Sequence, residues 1–166
     1  MDLYYEKHER ADTYGLLARL FLGLPNEETF ESLRLYYALD ITDRFDAASE
    51  DFVRLLRELP PYESLNNFFP GERRRDVHDF YAKTGLVIDE QLGLPPDHLG
   101  VEMLFMSYLV EGDKMEEQRK FLEDHLLHWA PQYLERFAGA AKTKFYKDIA
   151  GITKNFLIAD YDRLFE

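Results

Sequence analysis

The stretch from Val101 to Val110 constrains the fold more than any other part of the chain: eight of its ten residues are apolar, and Glu102 is its only charged residue. Such a run is too short to span a bilayer, which takes about 20 apolar residues. Its apolar residues lie all round a helix and leave little polar face, so the helix must be enclosed by other elements. Pro95 and Pro96 fix the entry of the chain, and Asp97 is placed to cap the helix by accepting from the N–H of Leu99 or Gly100. Gly112 closes it.

The surrounding segments read as further helices. Tyr14, Leu17, Leu20, Phe21 and Leu24 recur at three- and four-residue spacing and predict a helix over residues 5–24 that ends at Pro25. Asn26 caps a second helix through Phe30, Leu33, Tyr36 and Tyr37, which frays near Asp40. A third spans about Ser49 to Leu59, with Phe52, Val53, Leu55 and Leu56 inward, and Pro60-Pro61 stops it. Residues 60–71 read as an ordered crossing loop whose aromatics need a surface to cover. A fourth helix, near Arg73 to Thr84, ends at Gly85 as a left-handed cap.

After the apolar helix, in which Leu104 is expected in the core, Asp113 and Glu116 form a capping-box pattern for a sixth helix reaching about Trp129. Ala130-Pro131 predicts a break or kink there. A short helix then runs to Phe137, and beyond a joint at Gly139 a last helix carries Phe145, Tyr146, Ile149, Ile152, Phe156 and Leu157 inward. No segment shows sustained period-two alternation. The expectation is an all-α fold, a single-domain bundle of about eight helices over residues 1–166.

With no cysteine, disulfides, thiolate metal sites and a cysteine nucleophile are excluded. The first residues carry charges of both signs and lack the apolar core of a secretory signal, so the expected location is the cytoplasm, without stable membrane insertion. The formal charge of -12 is concentrated at the front, where residues 1–59 hold 13 acidic and 7 basic side chains. Such a surface disfavours nucleic acid and favours cationic partners. None of the five histidines has a glutamate three residues before it, which removes the usual di-metal carboxylate site of helical bundles, and no phosphate loop, nucleophile elbow or dinucleotide turn is present. No cofactor is implied.

Two polar pairs stand out. His98 and Glu102 are four apart, and a carboxylate among apolar neighbours needs a partner, for which His98 is the nearest candidate. His125 and Trp129 are also four apart, and Pro131 follows. His125 and His128 beside Asp124 suggest a surface zinc site, against the plainer reading of two histidines near a helix end.

The pattern Pro95-Pro96-Asp97-His98-Leu99, continued by Glu102, Leu104, Phe105, Met106 and Leu109, resembles the signature of the TorD, DmsD and NarJ family of molybdoenzyme chaperones. Phe80-Tyr81 and Gly85 before it fit the resemblance, as do His125, Trp129, Pro131 and the Phe145-Tyr146 opening of the last helix after it. Residues 26–79 match only as generic helices. The resemblance implies a TorD-like helical chaperone, not an enzyme, that binds the signal peptide or N-terminus of a molybdopterin oxidoreductase catalytic subunit, often one exported with a twin-arginine signal. It assigns peptide binding to Pro96, Asp97, His98, Glu102, Tyr81, His125, Trp129 and Pro131. Two other readings stand beside it: a small metal-dependent hydrolase using Asp97, His98, His125 and His128, and a helical adaptor or oligomerisation module. Residues 85–96 offer a hinge through which a homo-oligomer could exchange helices.

Overall fold

A computed structural model describes residues 3–66, 70–87 and 93–166. Within them the chain forms α1 (Leu3–Leu22), α2 (Glu27–Tyr37), α3 (Phe45–Glu58), a 3₁₀ turn (Glu63–Asn66), α4 (Pro70–Lys83), α5 (Leu99–Glu111), α6 (Met115–Phe121), a π turn (Leu122–Leu126), α7 (Leu127–Ala140) and α8 (Lys144–Arg163). The π turn joins α6 to α7 in one rod. No strand occurs among the described residues, only an isolated antiparallel bridge between Tyr62 and His98. The all-α expectation holds. The proposed hinge falls partly on residues 88–92, outside the described residues.

The apolar α5 is central, as its composition requires. It lies along α1, while α7 lies along α8 and α3 packs on α8. Gly100 lets α1 and α5 approach closely, since a Cβ there would stand 3.0 Å from the Ala18 carbonyl oxygen and overlap the Leu22 side chain. The core is rich in aromatic side chains: Tyr14, Phe21, Phe105, Phe121, Trp129, Tyr133, Phe137, Phe145 and Tyr146 are all essentially inaccessible. Each such ring removes a large apolar area from water, and their edge-to-face contacts, such as Phe105 on Phe121 at 4.8 Å, fix how the helices seat on one another.

Buried polar groups pin the rods together. Arg10 of α1 donates from Nε and Nη2 to Asp160 of α8 at 2.6 and 3.0 Å, and from Nη2 to Gln118 Oε1 at 2.8 Å. Tyr14 donates to the same Asp160 at 2.8 Å. At the other end Asp51 of α3 accepts from Arg54, from the Thr143 hydroxyl, and from the N–H groups of Lys142 and Thr143. Burial raises the Asp51 pKa, but these donors outweigh it and hold the group below its ordinary value.

Several sequence expectations are corrected. Asn26 does cap α2, accepting from Thr29 N, and Gly85 does take a left-handed conformation after α4. However, α3 begins four residues earlier than expected, at Phe45, and Val53, Leu104 and Ile152 are substantially exposed instead of inward. Residue 113 makes no capping box; Asp113 adopts a φ of 54° and pairs with Lys7, and α6 starts without a side-chain cap. Pro131 does not break the rod, nor does Gly139: both lie inside α7. The irregularity sits one turn earlier, in the π turn. It widens the helix before Pro131, and the helix runs on through the residue that cannot donate.

Candidate functional site

The Pro-Asp-His segment is built into the interior. Pro60-Pro61 brings the loop after α3 alongside the approach to α5, where Glu63 N donates to Asp97 O at 2.9 Å and Leu99 N to Pro61 O at 2.8 Å. A turn at residues 96 and 97 and this short pairing hold His98 extended, so α5 starts one residue later than the sequence suggests. The cap is therefore His98, whose Nδ1 accepts from Gly100 N at 3.0 Å. Asp97, fully buried, turns sideways instead: it accepts from Ser64 N at 2.8 Å and from Arg74 Nε of α4 at 3.0 Å. Tyr81 of α4 donates to Pro96 O at 2.7 Å. Asp97 and Tyr81 thus tie the 3₁₀ turn and α4 to the start of α5, which His98 caps.

His98 meets the edge of the Tyr62 ring, 5.3 Å between centroids, and burial lowers its pKa to about 4 in spite of the nearby Asp97 charge. The neutral ring agrees with Nδ1 acting as an acceptor. With its ring committed to the cap, His98 does not pair with Glu102, and that expectation is corrected. Glu102 points between α5 and α7, where Trp129 Nε1 donates to its Oε1 across a long 3.5 Å, while its Oε2 has no hydrogen-bond partner among the described residues. Burial first, then the charge of Glu63, raises the Glu102 pKa well above its ordinary value, with Trp129 opposing weakly.

Glu63 is the residue that sequence reasoning missed. It is fully buried in the 3₁₀ turn, and both of its carboxylate oxygens lie 3.1 Å from His125 Nδ1 in the π turn. Its only sequence signal is an acid set among Tyr62, Leu65 and two prolines in a loop too apolar to be a linker. The rings of Phe80 and Phe121 pack against His125. The interior cluster is therefore Glu63, Glu102, His125 and Trp129, flanked by Asp97 and Tyr81.

Outside it runs an open groove of about 630 Å³ between α4 and the rod formed by α6, the π turn and α7. Phe80 and His125 are among its lining residues. Its charges are Asp76, Asp79, Glu117, Glu123 and Asp124 against Arg73, Lys83 and Lys120, five acidic to three basic. Of the residues to which the resemblance assigns peptide binding, only His125 lines this groove; Tyr81, Asp97, His98, Glu102 and Trp129 are buried, and Pro96 and Pro131 are partly so. The hydrolase constellation does not assemble. Asp97 and His98 are engaged as above, His128 Nε2 meets Arg73, and His125 turns to Glu63, so His125 and His128 form no joint zinc site. Among the described residues, the one group with metal-ligating geometry is Glu63, Glu102 and His125.

The fold and site together define an all-helical bundle with a polar interior cluster behind an acidic groove. The chain belongs to the nitrate reductase delta subunit family, whose model matches residues 24–135, the family that also takes in the TorD and DmsD chaperones. The match begins well before residue 80, so it includes helices that read as generic in the bare sequence. The chain is similar to the chaperone protein TorD of Shewanella piezotolerans, 22% identical over 159 residues that cover 96% of this chain and 74% of the relative. It is 26% identical to the chaperone protein YcdY of Escherichia coli over 89% of this chain and 79% of that protein. A probable Tat proofreading chaperone, DmsD of Haemophilus influenzae, matches at 30% over 77 residues, 46% of this chain and 37% of the relative. No helix among the described residues is long and apolar enough to cross a membrane.

Proposed function

We propose that this protein is a non-catalytic cytoplasmic maturation chaperone. It binds the signal peptide or N-terminal segment of a molybdopterin-dependent oxidoreductase in the groove between α4 and the α6–α7 rod, and holds the client until cofactor insertion and assembly are complete. The observation that carries this reading is the groove itself: open, net acidic, and with Phe80 and His125 among its lining residues. A signal peptide pairs arginines with an apolar stretch, and a groove lined by acidic side chains and an aromatic ring offers a partner to each part. The names of the relatives, chaperones in each case and a Tat proofreading chaperone in one, support the same class.

In this reading the Pro-Asp-His segment acts from behind, holding α4 through Arg74 and Tyr81 so that the groove keeps its width, while His125 touches the client directly. Calorimetry with the signal peptides of candidate oxidoreductases tests it. Binding should weaken as salt rises, because exposed acidic walls act through screened attraction. Absence of heat with every peptide, together with no oxidoreductase co-purifying from the native cell, would rule the reading out.

A further inference from the structure

Glu63, Glu102 and His125 each bring one ligand-type atom to a common point, all of them within 4.8 Å of one another. The three residues are buried and come from three separate elements: the 3₁₀ turn, α5 and the π turn. Among the described residues Glu102 Oε2 has no hydrogen-bond partner, and the main charges acting on this carboxyl are those of Glu63 and Asp97, both acids. A buried carboxyl with an open oxygen beside a second acid either keeps its proton or gives it up to a cation that takes the open position. Two carboxylates and an imidazole form a donor set that a divalent transition-metal ion accepts.

We propose that Glu63, Glu102 and His125 form a buried binding site for a divalent transition-metal ion, with zinc the ion they fit best. Oxygen and imidazole donors together suit zinc, iron or manganese; the imidazole disfavours calcium and magnesium, and the absence of thiolates disfavours copper(I). Three protein ligands leave the fourth position of a tetrahedral ion for water. Zinc held about 2.0–2.2 Å from each atom needs its ligand atoms roughly 3.4 Å apart, so the widest pair, now within 4.8 Å, closes by at most about 1.4 Å on binding. The Trp129 indole N–H, already directed at Glu102 Oε1, orients that ligand from outside. The ion joins the 3₁₀ turn and α5 to the π turn whose His125 lines the groove. The site shares His125 with the groove, but its test reads metal binding and not peptide binding, so either reading can fail without the other.

The test uses the full chain made without a polyhistidine tag, stripped with chelator and titrated with zinc sulfate by calorimetry and thermal unfolding. The expected result is about one equivalent bound per chain with a raised Tm, an affinity lowered at least about tenfold by Glu102→Gln, and no change with His128→Gln. X-ray absorption of the zinc-loaded wild type should show one imidazole among oxygen ligands. Failure to bind zinc, iron(II) or manganese(II), or binding lost with His128→Gln and kept with Glu102→Gln, overturns the proposal. If Glu102→Gln does not fold, the absorption spectrum decides: a shell with two imidazoles, or with water oxygens alone, overturns it.

Discussion

Asp160 and Glu102 are both carboxylates sealed inside the same bundle, yet they are treated in opposite ways. Asp160 takes three donors, two from the Arg10 guanidinium and one from Tyr14. Glu102 takes a single long contact from an indole and faces another acid. The first arrangement is what a structural ion pair requires: charge matched, donors short, and α1 fastened to α8. The second is a poor fastener, because no short donor meets the acid and its burial is relieved only by holding the proton, which its raised pKa favours. A buried acid with satisfied partners fastens helices, whereas one with an open oxygen contributes little to holding them together.

The same substitution in the two places should therefore act with opposite sign. Asp160→Asn strands a buried guanidinium and should cost about 3–5 kcal/mol in denaturant unfolding. Glu102→Gln in chelator-treated protein keeps the shape and removes the need to ionise or protonate, so its unfolding midpoint should stay level or rise. A loss comparable to that of Asp160→Asn would erase the contrast.

His98 supplies an effect of about the same size, visible only in acid. Its folded pKa of about 4 lies below the ordinary 6.5, so between those values the unfolded chain binds more protons and acid favours unfolding. The stability associated with the neutral ring is complete above pH 6.5 and is lost as pH falls toward 4, by on the order of 3 kcal/mol. His98→Asn retains a side-chain acceptor for Gly100 N and should flatten that part of the stability profile. An unchanged acid slope would show that other groups dominate it.

Gly100→Ala should cost about 1–3 kcal/mol by forcing α1 off α5. Leu104→Ala, expected from sequence to be a full core truncation, should cost only about 1 kcal/mol, because Leu104 is 40% exposed. Thermal unfolding of the two variants side by side checks the order.

The helices were legible because apolar spacing of three and four residues leaves few alternatives, and the capping of α2 by Asn26 and the turn at Gly85 follow from local chemistry alone. Pro131 misled because its effect depends on the turn before it, and a π turn leaves no signature in composition. Asp97 misled for a related reason: a helix start is set by what pairs with the approaching chain, here Pro61 and Glu63, which lie more than thirty residues earlier in the sequence. Glu102 could be recognised as an acid without an explanation, but its neighbours Glu63 and His125 come from segments whose meeting only the tertiary fold determines. The groove was invisible for the same reason, since its acidic residues are spread over α4, α6 and the π turn, where each reads as an ordinary solvated face.

The central claim, that a client segment occupies this groove, is tested most directly by photocrosslinking. A benzophenone amino acid at position 83 or 120 in the groove wall should capture a twin-arginine signal peptide. The same group at position 53, exposed on α3 and absent from the groove lining, should not. Equal capture at position 53, or capture there alone, would contradict the account.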